Sequence, residues 1–290
     1  MNRRLFGLSV ILSMLFAYPF MARAATWSAV QGQVVGIHIQ AVAPGPLRLH
    51  AFGRNWPTER QSDGSVLAWV GVDLAQKPGH YPLVWHIGQG AKAKRRTEQL
   101  TVTKGSFRIS RITVKRKMAE FDAKTLARVL ADQRAMKHTY GMPVKANPAI
   151  RMARWPVTGI VSSPFGVRRF VNGEPRSPHT GIDIAAPKGT PIHAPLAGRV
   201  LLIKAMYLDG NTVALGHGNG LVSVYCHLSH IDVHKGEWVK TGQVIGEVGM
   251  TGRTTGPNLH WGVHFGNARV NPASLLPPAQ ASTIVVGDLR

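Results

Sequence analysis

Apolar and polar residues alternate in short runs through the first third of the chain, and turn residues separate the runs. Val35, Ile37 and Ile39 follow this alternation, and Leu83 and Trp85 follow it again further on. Comparable runs lie at residues 47–49, 66–72, 100–102 and 107–114. A period of two residues is that of a strand with one buried face. Several such strands in succession predict a β-sandwich over residues 25–118.

The period changes to that of a helix between Glu120 and Gly141. Asp122 is a suitable N-cap for this helix, and Gly141 is a suitable terminator. The apolar residues at helical spacing are Leu126, Val129, Leu130 and Met136. They predict a helix that packs against a domain along this apolar stripe. Proline-rich sequence follows as far as Trp155 and predicts an extended linker, so residues 119–155 connect two domains.

A β pattern with glycine-rich turns returns from residue 156 to residue 278. Its strands are predicted at residues 198–203, 211–215, 221–225, 242–248 and 259–265. This pattern predicts an antiparallel sheet folded around a groove, which makes the chain an all-β protein with a helical linker. On the last strand Asn258 and His260 share a face, because side chains alternate across a strand. Residues 279–290 are expected to form a short C-terminal tail.

The N-terminus has the features of a secretory signal peptide. Arg3 and Arg4 precede an apolar run from Leu5 to Phe20, and an Ala-x-Ala sequence ends at Ala24. The run is short and interrupted for a membrane span. We therefore expect residues 1–24 to be cleaved during secretion across the inner membrane. The mature protein is expected in the periplasm or cell envelope, without an integral membrane span.

The composition is strongly basic. Of the 290 residues, 35 are Lys or Arg and 14 are Asp or Glu, which gives a formal net charge of +21. Such a charge attracts polyanions, whether nucleic acid, anionic lipid or cell wall. Charge alone does not choose among them. Export would place the protein beside the cell wall and away from the chromosome, so nucleic acid is not expected as a partner.

The chain has one cysteine, Cys226, so it forms no intramolecular disulfide. Because Cys226 precedes His227 on a predicted strand, the two side chains are expected to point to opposite faces. We expect Cys226 to be buried and inert. The alternative is that its thiol is a fourth metal ligand.

Three polar residues of the C-terminal domain have the chemistry of a metal site. His179 and Asp183 lie four residues apart, just before a turn rich in Pro and Gly, and His260 lies on the last predicted strand. A catalytic zinc ion uses three protein ligands of these types and keeps one position open for water. These three residues are therefore candidate ligands of one Zn²⁺ ion.

The sequence around these residues resembles a known family. It contains His-x-x-x-Asp from His179, Tyr-x-His-Leu around His227 and Gly-Pro-x-Leu-His ending at His260, in that order. This order is similar to that of the lysostaphin-type (LytM-like) zinc metalloendopeptidases, which cut peptide cross-links in bacterial cell walls. The resemblance runs from about Pro156 to Pro272 and implies a C-terminal peptidase domain with a zinc groove.

The resemblance also implies roles for individual residues. The family residues that match His179, Asp183 and His260 bind zinc, and the one that matches His227 is catalytic. The family's last motif is usually His-x-His, whose first histidine is the second catalytic imidazole, and here Asn258 stands at that position. An amide donates a hydrogen bond but does not take up a proton to become a cation. We therefore expect Asn258 to keep an orienting role and to lose the acid–base role.

The function that the resemblance implies is zinc-dependent hydrolysis of peptide cross-links in peptidoglycan. The layout of a β-domain, a helix and a peptidase domain favours the bond from D-alanine to diaminopimelate, and Asn258 is expected to reduce the activity. The alternative is a catalytically impaired LytM-like protein that binds the wall and regulates another wall hydrolase. The N-terminal sandwich would bind the wall, cover the groove or act as a spacer, and the sequence does not decide among these roles.

Overall fold

The computed structural model describes residues 26–40, 45–89, 93–113, 120–148 and 150–278. The predicted signal peptide (1–24) and the predicted tail (279–290) lie outside these residues. Strands predominate in the described chain, and the all-β prediction is confirmed. None of the helices that these residues form combines the length and the apolar character that crossing a bilayer requires.

The N-terminal sandwich consists of two sheets that share one core. Its strands are β1 (Thr26–Val30), β2 (Val34–Ile39), β3 (Leu47–Ala51), β4 (Arg54–Trp56), β5 (Thr58–Arg60), β6 (Val66–Gly71), β7 (Gly79–Ile87) and β8 (Lys94–Thr103). One sheet has the order β1-β8-β7-β3-β4, and the other has the order β2-β6-β5. The alternating residues fill the core as predicted, since Ile37, Leu83 and Trp85 are fully buried.

The C-terminal domain is built on an eight-stranded sheet. Its strands are β10 (Ile160–Ser163), β13 (Gly181–Ala185), β15 (Gly198–Met206), β16 (Gly210–Gly218), β17 (Leu221–Leu228), β19 (Trp238–Val239), β21 (Asn258–Phe265) and β22 (Ala268–Val270). The order is β10-β13-β21-β17-β16-β15-β19, with β22 paired to β21. Every pairing in this sheet is antiparallel, as the sequence predicts.

Two small sheets, a short 3-10 helix and the α-helix described below complete the described chain. The remaining strands are β9 (Ile109–Ile112), β11 (Arg168–Val171), β12 (Glu174–Arg176), β14 (Pro191–His193), β18 (His230–Ile231) and β20 (Val244–Glu247), and the 3-10 helix is Pro272–Leu275. One small sheet has the order β12-β11-β9, and the other has the order β14-β20-β18. The first of these lies beside the candidate site described below.

Strand β9 differs from the sequence-based expectation. The run at 107–114 was expected among the strands of the sandwich, but β9 pairs in parallel with β11 of the C-terminal domain. Ile109 and Ile112 are 50% and 52% exposed, so β9 has no apolar face to bury in the sandwich core. Its backbone groups are satisfied instead by the edge of β11. The proposed domain bounds 25–118, 119–155 and 156–278 stay predictions.

The helix predicted between Glu120 and Gly141 is present as α1 (Ala123–Tyr140). Asp122 caps it as predicted, because its side chain accepts a hydrogen bond from the Thr125 backbone N–H at 2.7 Å. The Gly141 N–H donates to the His138 carbonyl at 3.0 Å at the other end.

The predicted apolar stripe of α1 is only half right. Two of its members are buried, but Leu126 and Leu130 are 45% and 43% exposed. Asp132 is buried instead, and it accepts a hydrogen bond from the Tyr207 backbone N–H at 2.9 Å. Lys204 of β15 lies 3.5 Å from the same carboxylate. The helix is therefore fixed to the end of β15 partly by a buried polar contact, which a count of apolar positions does not detect.

A forked ion pair joins the sandwich to the strand next to the candidate site. The Arg269 guanidinium of β22 donates to Asp73 at 2.6 and 3.0 Å, and the Arg269 backbone N–H donates to the same carboxylate at 2.8 Å. The Asn271 N–H donates to the Gly32 carbonyl at 2.6 Å. Since β22 pairs with β21, the sandwich supports the strand that carries His260.

A buried histidine lies at the centre of a satisfied hydrogen-bond chain in the main sheet. His217 is 1% exposed. Its Nδ1 lies 2.8 Å from the Ala197 carbonyl, and its Nε2 lies 2.7 Å from the Ser223 hydroxyl. A neutral ring that donates from Nδ1 and accepts at Nε2 satisfies both partners, and burial lowers the pKa of His217 to about 4.

We predict that His217 makes folding stability depend on pH. The unfolded chain protonates this ring as pH falls through its ordinary value of 6.5, whereas the folded chain does so only near 4. Stability should therefore be fully present above about pH 6.5 and should fall by about 2–4 kcal/mol between there and pH 4. Urea unfolding from pH 7.5 to 4.5 measures this slope, and His217→Gln should reduce it, while His264, whose pKa burial also lowers to about 4, keeps its own contribution.

The matched control is His86→Gln, because His86 is exposed on β7. This variant should keep the slope of the parent protein. Equal slopes in the parent and His217→Gln would contradict the assignment.

Candidate metal centre

The three candidate ligands predicted from the sequence meet at one point. His179 Nε2 lies 2.9 Å from Asp183 Oδ1 and 3.0 Å from His260 Nδ1, and His260 Nδ1 lies 2.7 Å from Asp183 Oδ1. Among the described residues, these three form a group that can hold a metal ion. Residues distant in sequence are brought together because β13 pairs with β21 in a register that sets Asp183 opposite His260.

The end of β10 and the loop between β10 and β11 fix the ring of His179. Its Nδ1 lies 2.9 Å from the Pro164 carbonyl and 3.1 Å from the Ser163 hydroxyl. A carbonyl only accepts, so Nδ1 carries the proton and Nε2 presents its lone pair to the centre. This second layer of partners orients metal-binding histidines in general. The sequence did not predict that Ser163 and Pro164 orient His179, although Ser163-Pro-Phe-Gly lies within the segment that resembles the family.

The charges of the centre suit a cation. Burial raises the pKa of Asp183, but its contacts with His179 and His260 outweigh this effect and hold the pKa well below its usual range. Burial lowers the pKa of His179, against the influence of Asp183. A carboxylate oxygen and one ring nitrogen from each of two imidazoles therefore converge at one point. A cation between them satisfies all three.

The spacing of the ligand atoms also fits zinc. Bonds of about 2.0–2.1 Å in a tetrahedron separate neighbouring ligand atoms by about 3.3 Å, so the cluster needs to open by less than about 1 Å. The side chains of Asp183 and His260 are 19% and 17% exposed, whereas that of His179 is 2% exposed. The centre is thus recessed but open on one side, as a site that admits substrate requires.

His227 lies beside the centre in an unusual backbone conformation. Its φ is +70°, in the left-handed region that costs a non-glycine residue on the order of 1 kcal/mol or more. The register between β16 and β17 shifts here, which is the mark of a bulge. The His227 Nδ1–H donates to the Thr251 carbonyl at 2.8 Å, and the ring centre lies 6.4 Å from that of His260. The Nε2 lone pair is therefore the part of His227 left for chemistry.

Cys226 is buried as predicted, at 3% exposure. It packs with Met206, Ala214 and Val222 in a small apolar cluster and is not part of the metal-binding group. Burial raises the pKa of its thiol. Cys226 is thus a core residue, and the alternative of a fourth ligand is not supported.

Asn258 differs in one respect from the role expected for it. Its Nδ2 donates to the Thr254 hydroxyl at 2.6 Å and to the Gly256 carbonyl at 3.0 Å. The carbonyl fixes the orientation of the amide, because only a donor fits there. Both N–H groups thus hold the loop before β21, and the buried Oδ1 has no hydrogen-bond partner. The hydrogen bonds that Asn258 donates therefore stay within its own loop, whereas an orienting role was expected.

His264 lies on the same face of β21 as His260, but it does not replace the imidazole that Asn258 lacks. Its ring stacks on Tyr140 of α1 with 3.6 Å between ring centres and 11° between planes. Burial lowers the pKa of His264 to about 4. The residue therefore serves packing between the helix and the sheet.

Comparison with known proteins identifies the class. The model of peptidase family M23 matches residues 177–272, which include the whole candidate centre. A solved structure from Pseudomonas aeruginosa assigned to peptidase M23 is 33% identical, covers 86% of this chain and 95% of its own, and superposes with a TM-score of 0.67. The chain belongs to the M23 peptidase family.

Curated relatives match over a shorter segment. The DD-carboxypeptidase/endopeptidase Mpg of Neisseria gonorrhoeae is 42% identical over 123 residues, which is 42% of this chain and 28% of the relative. The peptidoglycan DD-endopeptidase ShyC of Vibrio cholerae is 43% identical over 128 residues, which is 42% of this chain and 29% of the relative. The chain thus matches less than a third of the length of these relatives.

We predict that Gly181→Ala weakens metal binding. A Cβ at this position would lie 2.5 Å from the Trp261 carbonyl oxygen and 2.6 Å from Cε1 of His260. Backbone on one side and a ligand ring on the other leave it no room, so His260 must move. Because displaced ligand support typically costs 10–100-fold in metal affinity, we expect a loss of about that size. Zinc competition with a chromophoric chelator measures it.

The matched control is Gly262→Ala, directly across the ladder from Gly181. Its Cβ would meet Nε2 of His260 at 3.5 Å, an ordinary contact. This variant should bind zinc as the parent does. Equal affinities in all three proteins would show that the space around His260 does not matter.

Proposed function

We propose that this protein is a zinc-dependent endopeptidase that hydrolyses peptide cross-links of peptidoglycan. The observation that carries the proposal is the convergence of His179 Nε2, Asp183 Oδ1 and His260 Nδ1 within 3.0 Å of one another. Membership of the M23 family and the names of two relatives, a DD-carboxypeptidase/endopeptidase and a peptidoglycan DD-endopeptidase, support the reaction, and the second name supports the substrate. The bond we propose is that from D-alanine to diaminopimelate.

The residues that would hold zinc are His179, Asp183 and His260. When bound, zinc would polarise the scissile carbonyl and make the attacking water more acidic. His227 is the proton acceptor in this proposal. Burial lowers its pKa, so the ring is neutral at pH 7, and its Nε2 accepts the proton of the attacking water. The Thr251 carbonyl stabilises the imidazolium through Nδ1–H, and His227 then passes the proton to the leaving amine.

Asn258 gives this site half of the usual imidazole pair. It neither takes up nor releases a proton, and both of its N–H groups are engaged by the loop. Its remaining polar atom, Oδ1, is buried and has no hydrogen-bond partner. Loss of one acid–base group typically lowers rates by 10²–10⁴. We therefore propose an enzyme that is slower than a relative with both imidazoles.

The proposed location is the cell envelope. A net charge of +21 suits an anionic wall, and the N-terminal sequence is that expected of an exported protein. Peptidoglycan is the proposed partner, with no role for nucleic acid. The alternative, a wall-binding regulator of another hydrolase, draws on Asn258 alone, and the intact ligand group argues against it.

The test is digestion of purified peptidoglycan by the mature protein, with zinc or with a chelator, followed by separation of muropeptides. We expect cross-linked dimers to fall and monomers to rise only with zinc. His179→Ala is the matched inactive control, because it removes one of the three candidate ligands. Since His179 is buried, the substitution leaves the exposed surface of the protein unchanged.

Unchanged muropeptides, together with sedimentation of the protein with the wall, would favour the regulator. A purified protein that takes up no zinc would exclude the proposed enzyme.

We predict that Asn258→His raises the turnover number by at least about 10-fold, since it restores an acid–base group. The measurement is the initial rate of dimer cleavage at equal zinc content. Asn258→Ala is the comparison, because it removes both loop hydrogen bonds without adding an imidazole, and it should lower the rate. A rate for Asn258→His at or below that of the parent would show that holding the loop matters more than the second imidazole.

A further inference from the structure

A positively charged cavity lies next to the metal centre. It has a volume of about 300 Å³ and lies between the sandwich and the small sheet β12-β11-β9. Three arginines, Arg168, Arg169 and Arg176, line it together with apolar rings of Phe107 and Phe170, and none of its lining residues is acidic. Its size is at the lower end of the range for small-molecule sites. A cavity of this charge suits an anionic group.

The cavity and the metal centre share a wall. Pro178, which precedes the ligand His179, lines the cavity, and so does Gly166, whose N–H donates to the His179 carbonyl at 2.8 Å. Arg169 lines the cavity and also lies beside the metal centre. Its Nη2 lies 3.9 Å from Oδ2 of Asp183, the oxygen turned away from the other two ligands.

The ion pair with Asp183 leaves the N–H groups of Arg169 available to another acceptor. A separation of 3.9 Å is an ion pair but is too long for a hydrogen bond. The Arg169 side chain is 42% exposed, so a ligand can reach it. Burial lowers the pKa of Arg169, Asp183 raises it, and the positive charge of Arg253 lowers it again. A second anion beside Arg169 would relieve this repulsion between cations.

We propose that Arg169 binds a free carboxylate on the substrate residue that follows the cleaved bond. The site therefore selects peptides in which that residue is anionic. This inference rests on the proposed endopeptidase function and adds to it a residue that determines specificity. It concerns Arg169 and the cavity, and it assigns no role in the chemical step.

The chemistry of cross-links makes this selection meaningful. In a D-alanine to diaminopimelate bond, the amide nitrogen is attached to a carbon that carries a free carboxylate. A glycine bridge has no carboxylate there. Standard bond lengths put that carboxylate carbon about 3–4 Å from the scissile carbonyl carbon. A carbonyl held at the ligand group would thus bring the carboxylate into the range of Arg169.

The test compares two muropeptide dimers that differ only at this group, one with the free diaminopimelate carboxylate and one with its carboxamide. The specificity constant is measured for each dimer with the parent protein, Arg169→Gln, Arg169→Lys and Arg95→Gln. Arg95 is exposed on β8 of the sandwich, so Arg95→Gln removes the same charge elsewhere. Zinc content is measured for every variant, because Arg169 lies beside Asp183.

We expect the parent and Arg95→Gln to prefer the carboxylate dimer by roughly 10- to 100-fold, the range of one charged hydrogen bond. Arg169→Gln should lower this preference to about onefold, mainly by slowing cleavage of the carboxylate dimer. Arg169→Lys keeps the charge but lacks the planar fork, so it should keep part of the preference. Affinities of metal-free protein for the two dimers, measured by calorimetry, should follow the same order without any cleavage.

Equal use of both dimers by the parent protein would overturn the inference and leave the proposed function intact. An equal loss for both dimers in Arg169→Gln would also overturn it, because Arg169 would then serve the metal centre alone. If the parent cleaves neither dimer with zinc, the proposed endopeptidase fails, and the calorimetry still decides whether Arg169 distinguishes carboxylate from carboxamide. If Arg169→Gln does not fold, the parent's preference and Arg169→Lys decide the outcome.

Discussion

The pairing of β13 with β21 is the constraint on which the site depends. It sets Asp183 directly opposite His260. Two positions further along the same ladder, Gly181 is paired with Gly262. The absence of a side chain at Gly181 is what allows the His260 ring to lie against the strand. A shift of one residue would turn Asp183 to the other face of the sheet. Strand β22, which Arg269 anchors to Asp73, pairs with the residues of β21 that follow those paired with β13.

Main-chain carbonyls decide the chemistry of two histidines in this site. The Pro164 carbonyl accepts a hydrogen bond from Nδ1–H of His179, and the Thr251 carbonyl accepts one from Nδ1–H of His227. In each case the proton lies on Nδ1 and the lone pair lies on Nε2. Because a carbonyl cannot donate, these tautomers do not depend on any neighbouring side chain. The loop that carries Thr251 is in turn held by Asn258, so the residue that replaces the second imidazole still has a structural task.

Much of the fold and the ligand group could be predicted from the sequence. Alternation gave the sandwich core, including Trp85, and the order of three motifs indicated His179, Asp183 and His260. The misses depend on specific polar contacts that apolar patterning does not detect. Asp132 is buried against a backbone N–H at Tyr207, which is distant in sequence. The amide of Asn258 is bound to Thr254 and Gly256 of its own loop. The position of Arg169 beside Asp183 likewise has no local signature, since it arises from the pairing of small sheets.

The parallel pairing of β9 with β11 has a consequence for the integrity of the protein. Residues 109–112 lie before the helix and linker, yet they form the outer edge of the sheet that carries Arg169. A fragment that began at the linker would keep the metal ligands and lose that edge, leaving the N–H and C=O groups of β11 open to solvent or to another chain. Sandwich and peptidase region are thus not independent modules joined by a tether. Strand β9, which follows the sandwich in the chain, forms one edge of a sheet of the peptidase region, and its loss is expected to loosen the wall that carries Arg169.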